Sequence, residues 1–181
     1  MGLKPLQKRQ VIETLVKTEG VMVFKSAFKI LMNKQQAEDV AQDLFITLFE
    51  MDEKRFASVE NWPAYLRRMA VTRSIDVIRK VARQKEDSFQ VVDFDPVANA
   101  KQTPHETAQM DQDISQLQNS LTSLPELEAQ VFVLRLIEQF AYKDIAQQLD
   151  ISVNHVGVLL NRAKQSLANH YSQNNIQGES A

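Results

Sequence analysis

The chain has 181 residues, 44% of them hydrophobic and 24% charged, with a formal net charge of -2; that is the size of one ordinary domain or two small ones, and it excludes a large multidomain enzyme. With only 4 glycines and 5 prolines there are too few turn-makers for a sheet-rich fold, and with no cysteine there are no disulfides, thiolate metal sites or cysteine nucleophile. Unbroken apolar stretches reach only five residues with glycine counted in, as at 156–160, far short of the ~20 residues that span a bilayer, so no membrane insertion is expected, and the lack of cysteine fits a cytoplasmic protein.

Two apolar sets, Val11, Ile12, Leu15, Val16 and Phe24, Ala27, Phe28, Leu31, flank Gly20 and read as helical faces. The clearest amphipathic pattern follows in Ala37, Val40, Ala41, Leu44, Phe45, Leu48 and Phe49. Asn33 with Gln36 resembles a capping box and places the start of that helix near residue 34. Residues 51–61 read as a short polar connection, and Pro63 opens a helix carrying Trp62, Tyr65, Leu66, Met69, Ala70, Ile75, Ile78 and Ala82.

Charge is segregated along the chain. Between Pro63 and Lys85 seven cations (Arg67, Arg68, Arg73, Arg79, Lys80, Arg83, Lys85) face the single acid Asp76, whereas from Glu86 to Asp113 seven acids face Lys101 alone. Blocks of opposite sign point to separate partners or to a contact between the blocks. Residues 88–109 lose helical periodicity and contain Pro96 and Pro104, the composition of a tether.

Beyond the tether, Ile114, Leu117, Leu121 and Leu124 resume helical spacing, and Ser123 with Glu126 and Pro125 predicts a capped start for a helix through Leu136. The stretch AYKDIAQQLDISVNHVGVLLNRAKQSL then reads as a helix over 142–149, a tight turn plugged by Ile151, and a last helix capped by Ser152 and ending near His170. Small Ala146 lets the two helices approach closely, as a helix-turn-helix requires, although an ordinary pair of core helices has the same spacing. The expected fold is all-α: two small helical domains, 5–85 and 113–171, joined by a flexible acidic linker over 86–112, with a disordered tail over 172–181 and the C-terminal domain a helix-turn-helix. His105, His155 and His170 have no metal-ligand spacing, and no phosphate-cradling glycine loop or nucleophile motif is found, so no catalytic residue, metal or cofactor is expected and the protein is not read as an enzyme.

Taken whole, LPELEAQVFVLRLIEQFAYKDIAQQLDISVNHVGVLLNRAKQSL resembles region four of bacterial sigma factors, and AEDVAQDLFITLFE followed by NWPAYLRRMAVTRSIDVIRK resembles region two. The two in this order, with a short tether, are similar to the extracytoplasmic-function sigma factors. The resemblance implies a subunit that binds core RNA polymerase, recognises promoter DNA as double and single strands, melts it, and is held by an anti-sigma factor. The segment aligned with the polymerase-docking helix contributes Glu38, Asp39, Gln42, Asp43, Phe45 and Ile46. The segment aligned with upstream-element capture and melting contributes Asn61, Trp62, Tyr65, Arg67, Arg68, Thr72, Arg73, Asp76, Arg79 and Lys80. Cations there can hold phosphates while Trp62 and Tyr65 offer faces for an unstacked base, although both aromatics also lie on the apolar stripe. Asn61 either reads a base edge or caps its helix, and Asp76 either meets DNA or orients an arginine.

The resemblance assigns the distal element to Lys143, Ser152, Asn154, His155, Val158, Asn161, Arg162 and Lys164. Here the chain departs from the family: where relatives commonly show Thr-Val-Lys-Ser-Arg-Leu it has His155-Val156-Gly157-Val158-Leu159-Leu160, Thr72 stands in the place of a frequent Asn, and Ala129 stands where many relatives have Arg. These changes predict a weakened electrostatic grip on the distal element and a preference for thymine methyl groups at Val158. They also keep open an alternative: a sigma-like interaction protein that binds an anti-sigma factor or polymerase without reading DNA.

Overall fold

The computed structural model describes residues 5–87 and 104–178, with side-chain environments over 7–84 and 114–169. Among the described residues eight helices follow one another: α1 (Pro5–Leu31), α2 (Lys34–Glu50), α3 (Glu53–Ala57), α4 (Trp62–Asp87), α5 (Pro104–Ser123), α6 (Glu126–Leu136), α7 (Tyr142–Leu149) and α8 (Val153–Gly178). No strand occurs among the described residues. The chain divides into two compact units, Met1–Asp76 and Val77–Ala181, so the division falls inside α4, ahead of the boundary expected at 85.

In the first unit α1 packs along α2. Its core joins Ile12, Leu15 and Val23 of α1, Leu44 and Leu48 of α2, Met51, Phe56 of α3, and Leu66 and Ala70 of α4. α2 starts where the sequence predicts, with the Asn33 side chain accepting the Gln36 N–H at 3.0 Å. Its end is held from outside: Lys8 Nζ donates to the Phe49 carbonyl at 2.8 Å and to the Met51 carbonyl, placing a cation at the negative pole of the helix. The expected polar connection contains α3, capped by Asp52, whose side chain accepts the Arg55 N–H at 2.9 Å. Two apolar residues of that stretch, Met51 and Phe56, are buried, and sinking the phenylalanine into the core fixes the path of the segment.

In the second unit α8 packs on both α6 and α7. Ile145 and Ala146 of α7 and Val156, Leu159, Leu160 and Ala163 of α8 are buried, the pairing expected of a helix-turn-helix. Ser152 caps α8 as predicted, accepting the His155 N–H at 3.1 Å. One expected cap fails, and two helices run past the bounds expected from sequence. Ser123 is not a cap: Pro125 occupies the N-cap position of α6 with no side-chain bond, and the Ser123 hydroxyl donates to the Ser120 carbonyl at 2.8 Å, closing α5 instead. α5 begins at Pro104, inside the stretch read as tether, while residues 88–103 of that tether lie outside the described residues. α8 continues to Gly178, through most of the expected disordered tail, and 179–181 are not described.

The scarcity of glycine leaves its mark on helix termination. Met32, Gln139 and Asp150 all have positive φ (50°, 59° and 54°), the left-handed conformation that follows a helix and that glycine normally fills. At Asp150 this turn lets the Ile151 N–H reach the Ala146 carbonyl at 3.0 Å, which folds the chain back for α8. A left-handed non-glycine residue costs roughly 1–2 kcal/mol, and Gln139 is exposed, so nothing packed is lost by trimming it. Gln139→Gly should therefore stabilise the fold by about 0.5–1 kcal/mol net of glycine's backbone entropy, read as a higher urea midpoint at unchanged slope; an unchanged or lower midpoint contradicts this account of the turn.

Candidate nucleic-acid and polymerase interfaces

α4 is the wall of the first core and the carrier of its cations at once. Leu66, Ala70, Val71, Ser74 and Ile75 are buried, which leaves Arg67, Arg68, Thr72 and Arg73 half-buried at the edges of that face. Asn61 caps the helix, its side chain accepting the Ala64 N–H at 3.1 Å. Trp62 and Tyr65 pack against the core: the Trp62 ring lies 4.5 Å from Phe56 and 5.7 Å from Tyr65, edge to face with the latter. Both side chains remain half-buried.

The Arg68 guanidinium sits 5.0 Å over the Tyr65 ring. Arg67 Nε, Arg68 Nε and the Thr72 hydroxyl are buried atoms with no hydrogen-bond partner within the protein. Burial lowers the Arg68 pKa, the Tyr65 side chain opposes that shift, and the nearby Arg55 cation adds to it. An arginine stays charged at any physiological pH, so the direction reports a cation whose environment disfavours charge. Arg55, on the segment read from sequence as a plain connection, becomes a candidate site residue through its nearness to Arg68; the signal in the sequence was its place beside the Asp52 cap.

The remaining predicted residues of α4 divide. Arg73 donates to the Thr47 hydroxyl of α2, so in this structure it braces the helix pair. Arg79 donates to the Leu124 carbonyl at 2.8 Å, where it satisfies the backbone at the end of α5. Asp76 and Lys80 are exposed. Within the first unit, the predicted cations of α4 with a buried Nε that lacks a hydrogen-bond acceptor are Arg67 and Arg68, with Arg55 of α3 near Arg68; Lys80 and Arg83 are exposed on the part of α4 that belongs to the second unit.

On α2, Glu38, Asp39, Gln42 and Asp43 are exposed, with Glu38 only loosely paired to Lys34 at 3.8 Å. Ile46 and Phe49 are 54% and 50% exposed, unusual for such large apolar side chains. Phe45, expected on the same face, packs instead against the core; Phe49 takes its place on the surface.

On the helix-turn-helix, Lys143, Ser152, Asn154, His155, Val158, Asn161, Arg162 and Lys164 are all exposed. α7 opens without a side-chain cap, its N-cap being Ala141, so its first amides face outward beside Lys143. Arg135 ties the turn before α7, donating to the Phe140 carbonyl at 2.9 Å while lying 5.4 Å over the Tyr142 ring. The expectation for Ala129 is corrected: it is 0% exposed, so the position belongs to the core and bears on packing, not on a surface charge.

An all-helical chain with a cationic, aromatic helix face in one unit and a helix-turn-helix in the other has the make-up of a two-domain nucleic-acid-binding protein. Residues 15–84 match the family Sigma-70 region 2, and residues 114–167 match Sigma-70, region 4. The chain belongs to the sigma-70 family. It is 25% identical over 162 residues to ECF RNA polymerase sigma factor SigE of Mycolicibacterium smegmatis, spanning 89% of this chain and 62% of that protein. Over 156 residues it is also 25% identical to ECF RNA polymerase sigma factor SigW of Bacillus subtilis, spanning 80% of each chain. The fold is shared with CnrH in complex with the cytosolic domain of CnrY, at a TM-score of 0.54 and 20% identity over 91% of this chain and 90% of that one. It is shared too with the sigma factor RpoE in complex with the anti-sigma factor NepR from Bartonella quintana, at a TM-score of 0.53 and 18% identity over 88% and 96%.

A buried donor without a partner costs roughly 1–3 kcal/mol, more than the ~0.5–1 kcal/mol that the Arg68 contact with Tyr65 returns. Arg68→Met should accordingly raise the stability of the free protein by about 1 kcal/mol in urea unfolding. A loss of stability shows that the arginine is held for the fold.

Proposed function

We propose that this chain is an RNA polymerase sigma factor of the extracytoplasmic-function type, which binds core polymerase, recognises a promoter, melts it and so starts transcription. What carries the reading is the union, on one chain, of an aromatic and cationic face on α4 with a helix-turn-helix whose second helix keeps one face free. The half-buried arginines lack an anion, and a phosphate beside them offers the missing acceptor and charge together. Trp62 and Tyr65, backed by the core, give a rigid platform for an unstacked base, and each base stacked on such a ring contributes ~1–3 kcal/mol.

The α2 face supplies the polymerase contact. Ile46 and Phe49 form an apolar centre, and Glu38, Asp39, Gln42 and Asp43 form a polar, acidic surround, the anatomy of a protein interface that takes a basic partner face. On α8 the exposed residues from Asn154 to Lys164 meet the distal promoter element, while Lys143 and the open α7 terminus hold phosphates. An anti-sigma factor is a further proposed partner, as in the RpoE complex. Work inside the cytoplasm follows from these partners, and no described helix is long and apolar enough to cross a membrane.

Reconstitution with core polymerase tests the whole reading. The full chain is expected to direct defined transcripts from a genomic template pool, and polymerase binding with no transcript and no DNA crosslink supports the alternative of an interaction protein that does not read DNA. Asp43→Arg should weaken core binding tenfold or more in a titration, since like charges across an interface cost several kcal/mol; unchanged affinity removes α2 from the interface. Arg67→Ala with Arg68→Ala should slow open-complex formation and flatten its salt dependence by about 0.7 log units per lost single-strand phosphate contact, with core binding intact. Normal opening by that variant takes the α4 cations out of the mechanism.

A further inference from the structure

The face of α8 turned away from the protein is built from uncharged side chains. Val156, Leu159, Leu160, Ala163 and Leu167 are buried and define the inner face. Helical spacing places Asn154, Val158, Asn161 and Gln165, at i, i+4, i+7 and i+11, along the ridge opposite, and all of them are exposed, Val158 by 46%. His155 and Arg162 lie on one flank of this ridge and Lys164 on the other, so the cations border the outermost line without occupying it. Gln165 was not among the residues expected from sequence.

We infer that this ridge selects A·T base pairs in the major groove of the distal element, with Asn154, Asn161 and Gln165 reading adenine and Val158 reading the thymine methyl group. The inference rests on the proposed promoter-binding function and adds its specificity. In the major groove adenine offers an acceptor (N7) beside a donor (N6), and a carboxamide, which carries both an N–H₂ and a C=O, matches the two at once. Guanine offers two acceptors, N7 and O6, and is met best by arginine or lysine, which this ridge lacks. Facing guanine, a carboxamide leaves its oxygen against an acceptor. Val158 has no hydrogen bond to give; only thymine among the bases presents a methyl group in that groove. The ridge is rigid in the sense that matters, because the Ser152 cap and the buried inner face fix the helix on which it stands.

Gly157 fits the same picture. A Cβ built there meets only Tyr142, at 3.8 Å, an ordinary contact, so no neighbour within the chain requires the glycine. Helical spacing puts it on the Lys164 side of the ridge, where its lack of a side chain adds no charge to that border.

The experiment uses the full chain bound to core polymerase and a pool of duplexes randomised across the distal element, followed by footprinting of the selected sites. A·T-dominated selection in the footprinted segment is expected. Within a selected site, replacing thymine by uracil, which removes only the methyl, should weaken binding about 3- to 5-fold at one position, and Val158→Ala should abolish that sensitivity. Replacing adenine by 7-deazaadenine should weaken binding tenfold or more at the positions read by the amides, and Asn154→Ala should remove the penalty at one of them. All of these variants change exposed positions, and their circular dichroism should match that of the parent. A footprinted distal element rich in G·C, or one indifferent to both base analogues, overturns the inference and leaves promoter binding standing. Absence of any distal footprint, alongside transcripts that depend on the proximal element alone, overturns the inference together with the role assigned to α8.

Discussion

Everything in the first unit depends on α4 burying one face while carrying cations along its borders. Leu66, Ala70, Val71 and Ile75 are fully buried, and because a helix turns through 3.6 residues, sinking those positions draws Arg67, Arg68 and Thr72 halfway down with them. A fully solvated arginine would sit on a flexible stem and lose side-chain freedom on meeting DNA. Arg68, stacked on Tyr65 and partly desolvated, has already lost much of it, so less remains to be lost on binding. The same burial leaves donors unmatched. The stability forgone in the free protein and the readiness to take an anion are two views of one arrangement.

The second unit solves a different problem, that of bringing two helices close and then sending the second one outward. Ala146 is buried and small, Ile151 follows the turn, and Asp150 adopts the left-handed conformation that reverses the chain between α7 and α8. Glycine would do this with less strain, yet the chain places aspartate here, glutamine after α6 and methionine after α1. Aspartate is among the residues that tolerate this region best, so the turn at the centre of the helix-turn-helix is the least strained of the three.

Periodicity and capping made much of this visible beforehand. α2 and α8 were legible because each has a long apolar stripe and a side-chain cap, Asn33 and Ser152, that acts within three residues of itself. α3 was hidden because a single phenylalanine in a polar run carries no period; its role depends on a core assembled from helices distant in sequence. Ser123 misled because Pro125, which has no N–H to offer, displaced the cap, and the hydroxyl found a carbonyl behind it instead. Arg73 and Arg79 looked like free cations in a charged block, and only coordinates reveal that Thr47 and the Leu124 carbonyl engage them. Ala129 illustrates the reverse error: a position that the family resemblance associates with charge is, in this chain, filled by core.

Under the proposed function, the division of cations between the two units has a physical consequence for how a promoter would be held. Phosphate contacts release counterions and supply affinity without regard to sequence, whereas contacts to base edges supply selectivity and little salt dependence. In the first unit Arg67 and Arg68 would serve the former. In the second the outermost ridge of α8 is neutral, with Arg162 and Lys164 kept to its flanks, where phosphates would border a groove. Under that function, loss of cations from the reading line is compatible with DNA recognition: such a helix would discriminate more than it grips, and its weak hold would draw on the affinity supplied by polymerase and the first unit.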